Sequence, residues 1–93
     1  MITSVDFKDQ ELSPGHRVVS VVQHVFQERS ISRPISPDDN LMEVGLTSLD
    51  TVKLVLLVES EFDLTLPISD ITPANFQSIS AISRLVTRLL KDS

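Results

Sequence analysis

The chain has 93 residues and a formal net charge of −5, a size that fits one domain and a balance that would repel the phosphates of nucleic acid. It is 41% hydrophobic with four aromatics, all Phe, and holds no cysteine, so its core is aliphatic, and disulfides, thiolate metal sites and thiol chemistry of its own are excluded. Two glycines are few for the tight turns of an all-β domain, which favours helices.

Residues 1–12 are mixed and polar, with isolated Ile2, Val5 and Phe7. They read as a flexible N-terminal arm, ahead of a domain spanning 13–93. Ser13 and Pro14 then supply a helix cap and first-turn signal. Val18, Val22, Val25 and Phe26 follow at helical spacing, widened by Val19 and Val21, which predicts a helix over about 14–29. Residues 30–47 carry two prolines, two Asp, an Asn and Gly45. This is a long loop, and Ile35, Leu41, Met42, Val44 and Leu46 are the residues that would pin it to the core.

A second helix is predicted from about Ser48 to Phe62, ended by Asp63 to Pro67. It bears two apolar stripes. Leu54, Val55, Val58 and Phe62, with Thr51 among them, form one; Leu49, Val52 and Leu56, beside Lys53 and Glu59, form the other. The first is read as core and the second as a docking face, the alternative being that both are buried. Thr72 and Pro73 predict a short helical turn. A last helix starts near Ser78, with Ile79, Ile82, Leu85, Val86, Leu89 and Leu90 on one stripe and Arg84, Arg88 and Lys91 in its later turns. The fold expected is all-α, a small four-helix bundle with a long first loop and a short third helix.

The acid is concentrated in residues 35–63, at a net −6, which suits a basic partner surface. No run is long enough for a membrane span, and the first residues lack the basic and apolar parts of a secretory signal. A soluble, cytoplasmic protein, monomeric when free, is the expectation. His16 and His24 are eight residues apart, about 12 Å along a helix, too far to share a metal. Asp38, Asp39 and Glu43 lack the ligand order and glycine of a calcium loop.

Ser48 is the residue that needs an explanation. It opens a helix just after Gly45, where unpaired N–H groups and the positive dipole end would stabilise a phosphate on its oxygen. Ser48 or Thr47 as a simple cap is the other reading. A catalytic serine is a poor reading, because "GLTSLD" lacks the strand, elbow and helix that expose one.

The stretch "DNLMEVGLTSLDTVKLVLLVESEFDLTLP" resembles the serine-helix region of acyl carrier proteins and their peptidyl and aminoacyl relatives. The matching residues are Leu41, Gly45, Ser48, Leu49 and Glu61-Phe62-Asp63, and the order of elements agrees over about residues 13–91. The resemblance implies that the protein is not an enzyme. It implies a 4′-phosphopantetheine arm, transferred from coenzyme A to Ser48 by a separate phosphopantetheinyl transferase, whose terminal thiol carries acyl or aminoacyl groups as thioesters. The missing cysteine fits, since the sulfur arrives with the arm. It further implies that Leu49, Val52 and Leu56 face partner enzymes, with Asp50, Lys53, Glu59 and Glu61 around them. The partners implied are the transferase, an acyl- or amino-acid-activating ligase and a downstream accepting enzyme. Two residues depart from the family pattern. Thr47 stands where Asp or His is common, and Lys53 where fatty-acid carriers place Glu. Both point away from the main fatty-acid cycle toward a dedicated pathway. The chain starts at Met and shows no interdomain linker, so a freestanding carrier is expected. A second reading, from a different class, is an unmodified helical module that binds a protein through the same helix face.

Overall fold

The computed structural model describes residues 14–92. The predicted arm at 1–12 and the cap at Ser13 lie outside the described residues. Among these, the chain is all-helical: α1 at Pro14–Glu28, α2 at Ser48–Phe62 and α3 at Ile79–Asp92, with one 3-10 turn at Ile68–Asp70.

Each helix is fixed by its apolar stripe. In α1, Val18, Val21, Val22, Val25 and Phe26 are buried; β-branched valines are poor helix formers, so packing carries this helix rather than propensity. α1 lies against both other helices, which is why its stripe is wide. α2 contributes Leu54, Val55, Val58 and Phe62, and α3 contributes Ile79, Ile82, Leu85 and Val86. Ser78 sits at the start of α3, its Oγ accepting from the Ala81 N–H at 3.1 Å.

The long loop is tied down at Leu41 and Leu46, both buried, while Met42 is half exposed. The Leu41 N–H donates to the C=O of Gln77 at 2.8 Å, and the Ser80 N–H to that of Pro37 at 3.0 Å. Loop and α3 entrance thus brace each other in front of α2.

The short third helix expected at Thr72–Pro73 takes another form. A 3-10 turn precedes it at Ile68–Asp70, and residues 73–76 form a hydrogen-bonded turn, the Phe76 N–H donating to the C=O of Thr72 at 3.2 Å. Pro73 has no N–H and disfavours a helical Thr72, so the two turns cannot merge into one helix.

Candidate functional site

The Met42–Thr47 turn sets up the start of α2. The Gly45 N–H donates to the C=O of Met42, and Gly45 has φ of +123°, a backbone region that side chains rarely tolerate. Leu46 then turns into the core, its N–H bonded to the C=O of Leu41 at 3.1 Å.

Thr47 is the N-cap, so Ser48 is released from that duty. Thr47 Oγ1 accepts from the Asp50 N–H at 3.3 Å, and the Thr47 N–H donates to Asp50 Oδ2 at 2.8 Å. This is a reciprocal capping box. Ser48 is the first residue of the helix and is exposed. No acceptor among the described residues takes the N–H of Ser48 or Leu49, so two donors remain open beside an accessible hydroxyl. That is the donor set a phosphodiester needs at a helix start. The hydroxyl borders a groove of about 580 Å³ lined among others by Met42, Thr51, Ile71 and Phe76.

The two stripes of α2 separate cleanly. Leu49, Val52 and Leu56 are 80%, 57% and 60% exposed, whereas Leu54, Val55 and Val58 are buried. Exposed apolar residues repeated at this spacing beside Ser48 form a contiguous candidate docking face.

The charges around that face are mostly engaged within the protein. Asp50, expected at the partner surface, points inward and is only 5% exposed. Its carboxylate accepts from Thr47 and from Arg29. Burial alone would raise the Asp50 carboxyl, but the Thr47 N–H and O–H, with the positive charges of Arg29 and Lys53, outweigh it and hold it below the usual carboxylate range. Glu59 Oε2 accepts from the Leu66 N–H at 2.8 Å and so anchors the segment after α2. Glu61 accepts from Arg17 Nε at 2.9 Å. Lys53 is exposed beside the stripe and donates to Glu28 of α1 at 2.9 Å. That bond holds the Glu28 carboxyl below its usual range.

Arg29 carries no local sign of its role. A cation after a helix looks like an ordinary dipole partner, and nothing local says that its guanidinium crosses to Asp50. His24 pairs with Glu28 at 3.3 Å, and no cluster of metal-ligating side chains occurs among the described residues. No helix among them is long and apolar enough to cross a membrane.

Comparison with known proteins decides the family. Residues 16–86 match the family described as phosphopantetheine attachment site. The chain belongs to the phosphopantetheine-attachment family. Its cofactor is therefore 4′-phosphopantetheine, held covalently, and the protein is a carrier. This carrier is 45% identical over 75 residues to aminoacyl carrier protein 2 of Bradyrhizobium diazoefficiens, covering 81% of this chain and 84% of that one. It is 41% identical over 76 residues to aminoacyl carrier protein 1 of the same organism, covering 82% and 84%. Its fold matches a chain in the crystal structure of Bradyrhizobium japonicum glycine:[carrier protein] ligase with its cognate carrier protein and an analogue of glycyl adenylate. There the TM-score is 0.74 at 40% identity, covering 81% of this chain and 96% of that one. The same ligase complexed with glycylated carrier protein gives 0.72 at 40% identity, covering 77% and 96%.

Proposed function

We propose that this protein is a freestanding aminoacyl carrier whose 4′-phosphopantetheine arm is attached to Ser48 Oγ. Residues 13–93 serve as the carrier unit, working in the cytoplasm and without catalysis of its own. When bound, the arm supplies the thiol that the chain lacks and carries an amino acid on it as a thioester. An amino-acid-activating ligase loads that thiol, and a downstream enzyme accepts the cargo. One observation carries the reading: an exposed serine at the open end of α2 shares that helix with an exposed apolar stripe. The amino acid as cargo is supported by the relatives, which are aminoacyl carriers, and by the ligase complex whose carrier protein is glycylated.

Leu49, Val52 and Leu56 take the apolar surface of the ligase, with Lys53, Glu59 and Glu61 at the edges. Asp50 acts from inside, through the cap. Lys53 sets the polarity of the face: a partner built to dock on a carboxylate there meets an ammonium group instead. This supports a pathway apart from fatty-acid synthesis.

Intact mass after incubation with coenzyme A and a broad-spectrum phosphopantetheinyl transferase tests attachment. The wild type should gain one phosphopantetheine and Ser48→Ala none. An unmodified wild type sinks the reading and leaves the plain interaction module. Loading of the modified protein against a panel of amino acids and carboxylic acids, with candidate ligases, then identifies the cargo. Acceptance of fatty acids but no amino acid would overturn the aminoacyl assignment.

A further inference from the structure

The segment just after α1 grips the turn that presents Ser48 at two points. Ile31 Cδ1 comes within 3.4 Å of where a Cβ on Gly45 would stand. Two residues earlier, Arg29 is ion-paired with the buried carboxylate of Asp50. Asp50 Oδ2 also receives the Thr47 N–H at 2.8 Å and the Thr47 hydroxyl at 3.1 Å. One oxygen therefore gathers the cap residue before Ser48 and a cation from the turn just beyond α1. The Arg29 backbone is itself held, its N–H donating to the C=O of Val25 at 3.1 Å.

We propose that Arg29 is a positioning residue for the modification of Ser48, acting through Asp50. Its guanidinium fixes the capping turn and offsets a buried negative charge two residues from the place where a phosphodiester forms. The proposal rests on the carrier reading. In the modification, a bond forms between Ser48 Oγ and the β-phosphorus of coenzyme A. The bond from that phosphorus to departing adenosine 3′,5′-bisphosphate breaks, and the hydroxyl proton passes to a base of the transferase or to solvent. Negative charge is carried on the phosphoryl oxygens throughout. A carboxylate left uncompensated in a partly desolvated site nearby repels that charge, whereas the Arg29–Asp50 pair presents little net charge to it. The same guanidinium holds the cap that keeps the Ser48 and Leu49 N–H groups aimed outward. Arg29 touches neither coenzyme A nor the reacting atoms.

The test is the rate of phosphopantetheine transfer from coenzyme A by a broad-spectrum transferase, followed by intact mass. Wild type, Arg29→Gln, Arg29→Lys and the double variant Arg29→Gln/Asp50→Asn are compared. Arg29→Gln should lower kcat/KM about five- to tenfold, mainly through kcat. Arg29→Lys keeps the charge and should retain most of the rate. The double variant removes both charges and should recover most of what Arg29→Gln loses; because removing an orphaned buried carboxylate also restores stability, all rates are compared under conditions where circular dichroism shows every variant folded. An Arg29→Gln rate within twofold of wild type, or a double variant no faster than Arg29→Gln, overturns the proposal. Should Arg29→Gln fail to fold, the wild type alone decides by NMR. The Arg29 side-chain N–H resonance should shift between the unmodified and modified forms, and an unmoved resonance overturns the proposal. Failure of the wild type to take the arm at all is a different result and removes the carrier reading itself.

Discussion

Arg29, just beyond the end of α1, is ion-paired with Asp50 in the first turn of α2, 21 residues along the chain. The carboxylate it holds is the one that closes the capping box with Thr47. The acid is thereby withdrawn from the exposed face of α2 and made part of the frame behind Ser48.

A pH dependence follows from this. The Asp50 carboxyl is held below its usual range in the folded state. A depressed carboxyl contributes stability fully above its unfolded pKa, about 3.9, and loses it as pH falls through the lower folded value. The groups facing it are Thr47, Arg29 and Lys53. Glu28, also depressed through Lys53, titrates in the same direction. Thermal unfolding from pH 6 to pH 2.5 should show a steeper acid loss in wild type than in Asp50→Asn, with Glu28→Gln as the control. At pH 7, Asp50→Asn should cost about 1–2 kcal/mol. Parallel pH profiles in wild type and Asp50→Asn would show that the carboxylate is not held as described.

Gly45 offers a backbone test. Its φ of +123° is strained for any side chain, and an added Cβ would stand 3.4 Å from Ile31 Cδ1. Gly45→Ala should destabilise by about 1–3 kcal/mol in urea unfolding. It should also slow arm attachment, because the turn presents Ser48. An alanine variant as stable as wild type would mean that the turn relaxes without strain.

Much of this site was legible because its signals are local. The bounds of α2 follow from a glycine turn, a cap-forming Thr-Ser pair and an apolar repeat ending at Phe62. The division into a buried and an exposed stripe came from periodicity alone, and Leu54 and Leu56 fall on opposite sides of it. What was not legible depends on distant partners. Asp50 and Glu61 look alike in sequence as surface acids. Arg29 draws one inward and Arg17 ties the other to α1, choices made by helix packing rather than by neighbouring residues. The segment after α2 misled for a similar reason. Thr72 and Pro73 are good helix-start residues, but Phe76 is buried and the C=O of Gln77 is claimed by Leu41. The chain is turned there before a helix can extend.

Leu54 and Leu56 separate stability from docking. Leu54 is 1% exposed, so Leu54→Ala leaves a cavity and should cost about 2–4 kcal/mol. Leu56 lies on the exposed stripe, so Leu56→Ala should change stability by no more than about 0.5 kcal/mol. Its effect should appear in loading, as a raised KM for the carrier with its ligase. Urea unfolding and loading kinetics on the two variants should rank them in opposite orders. A normal KM in Leu56→Ala would remove that residue from the docking face.

Arg17 closes the other end of α2. Its guanidinium lies 4.3 Å from the Phe62 ring centroid. Its Nε donates to Glu61 Oε2 at 2.9 Å, and its Nη2 to the Glu61 C=O in the last turn. A cation on that carbonyl complements the helix dipole, and the same guanidinium lies over an aromatic face. The ion pair itself is exposed on both sides and contributes little; the carbonyl and ring contacts carry the effect. Arg17→Met keeps the stem but loses both guanidinium contacts, so Arg17→Met and Arg17→Ala should each cost about 1–2 kcal/mol. Glu61→Gln should be nearly silent in stability. Because Arg17 lies at the end of α2 away from Ser48, arm attachment should proceed at the wild-type rate in every variant that folds. Equal losses in Arg17→Ala and Glu61→Gln would instead assign the effect to the surface ion pair.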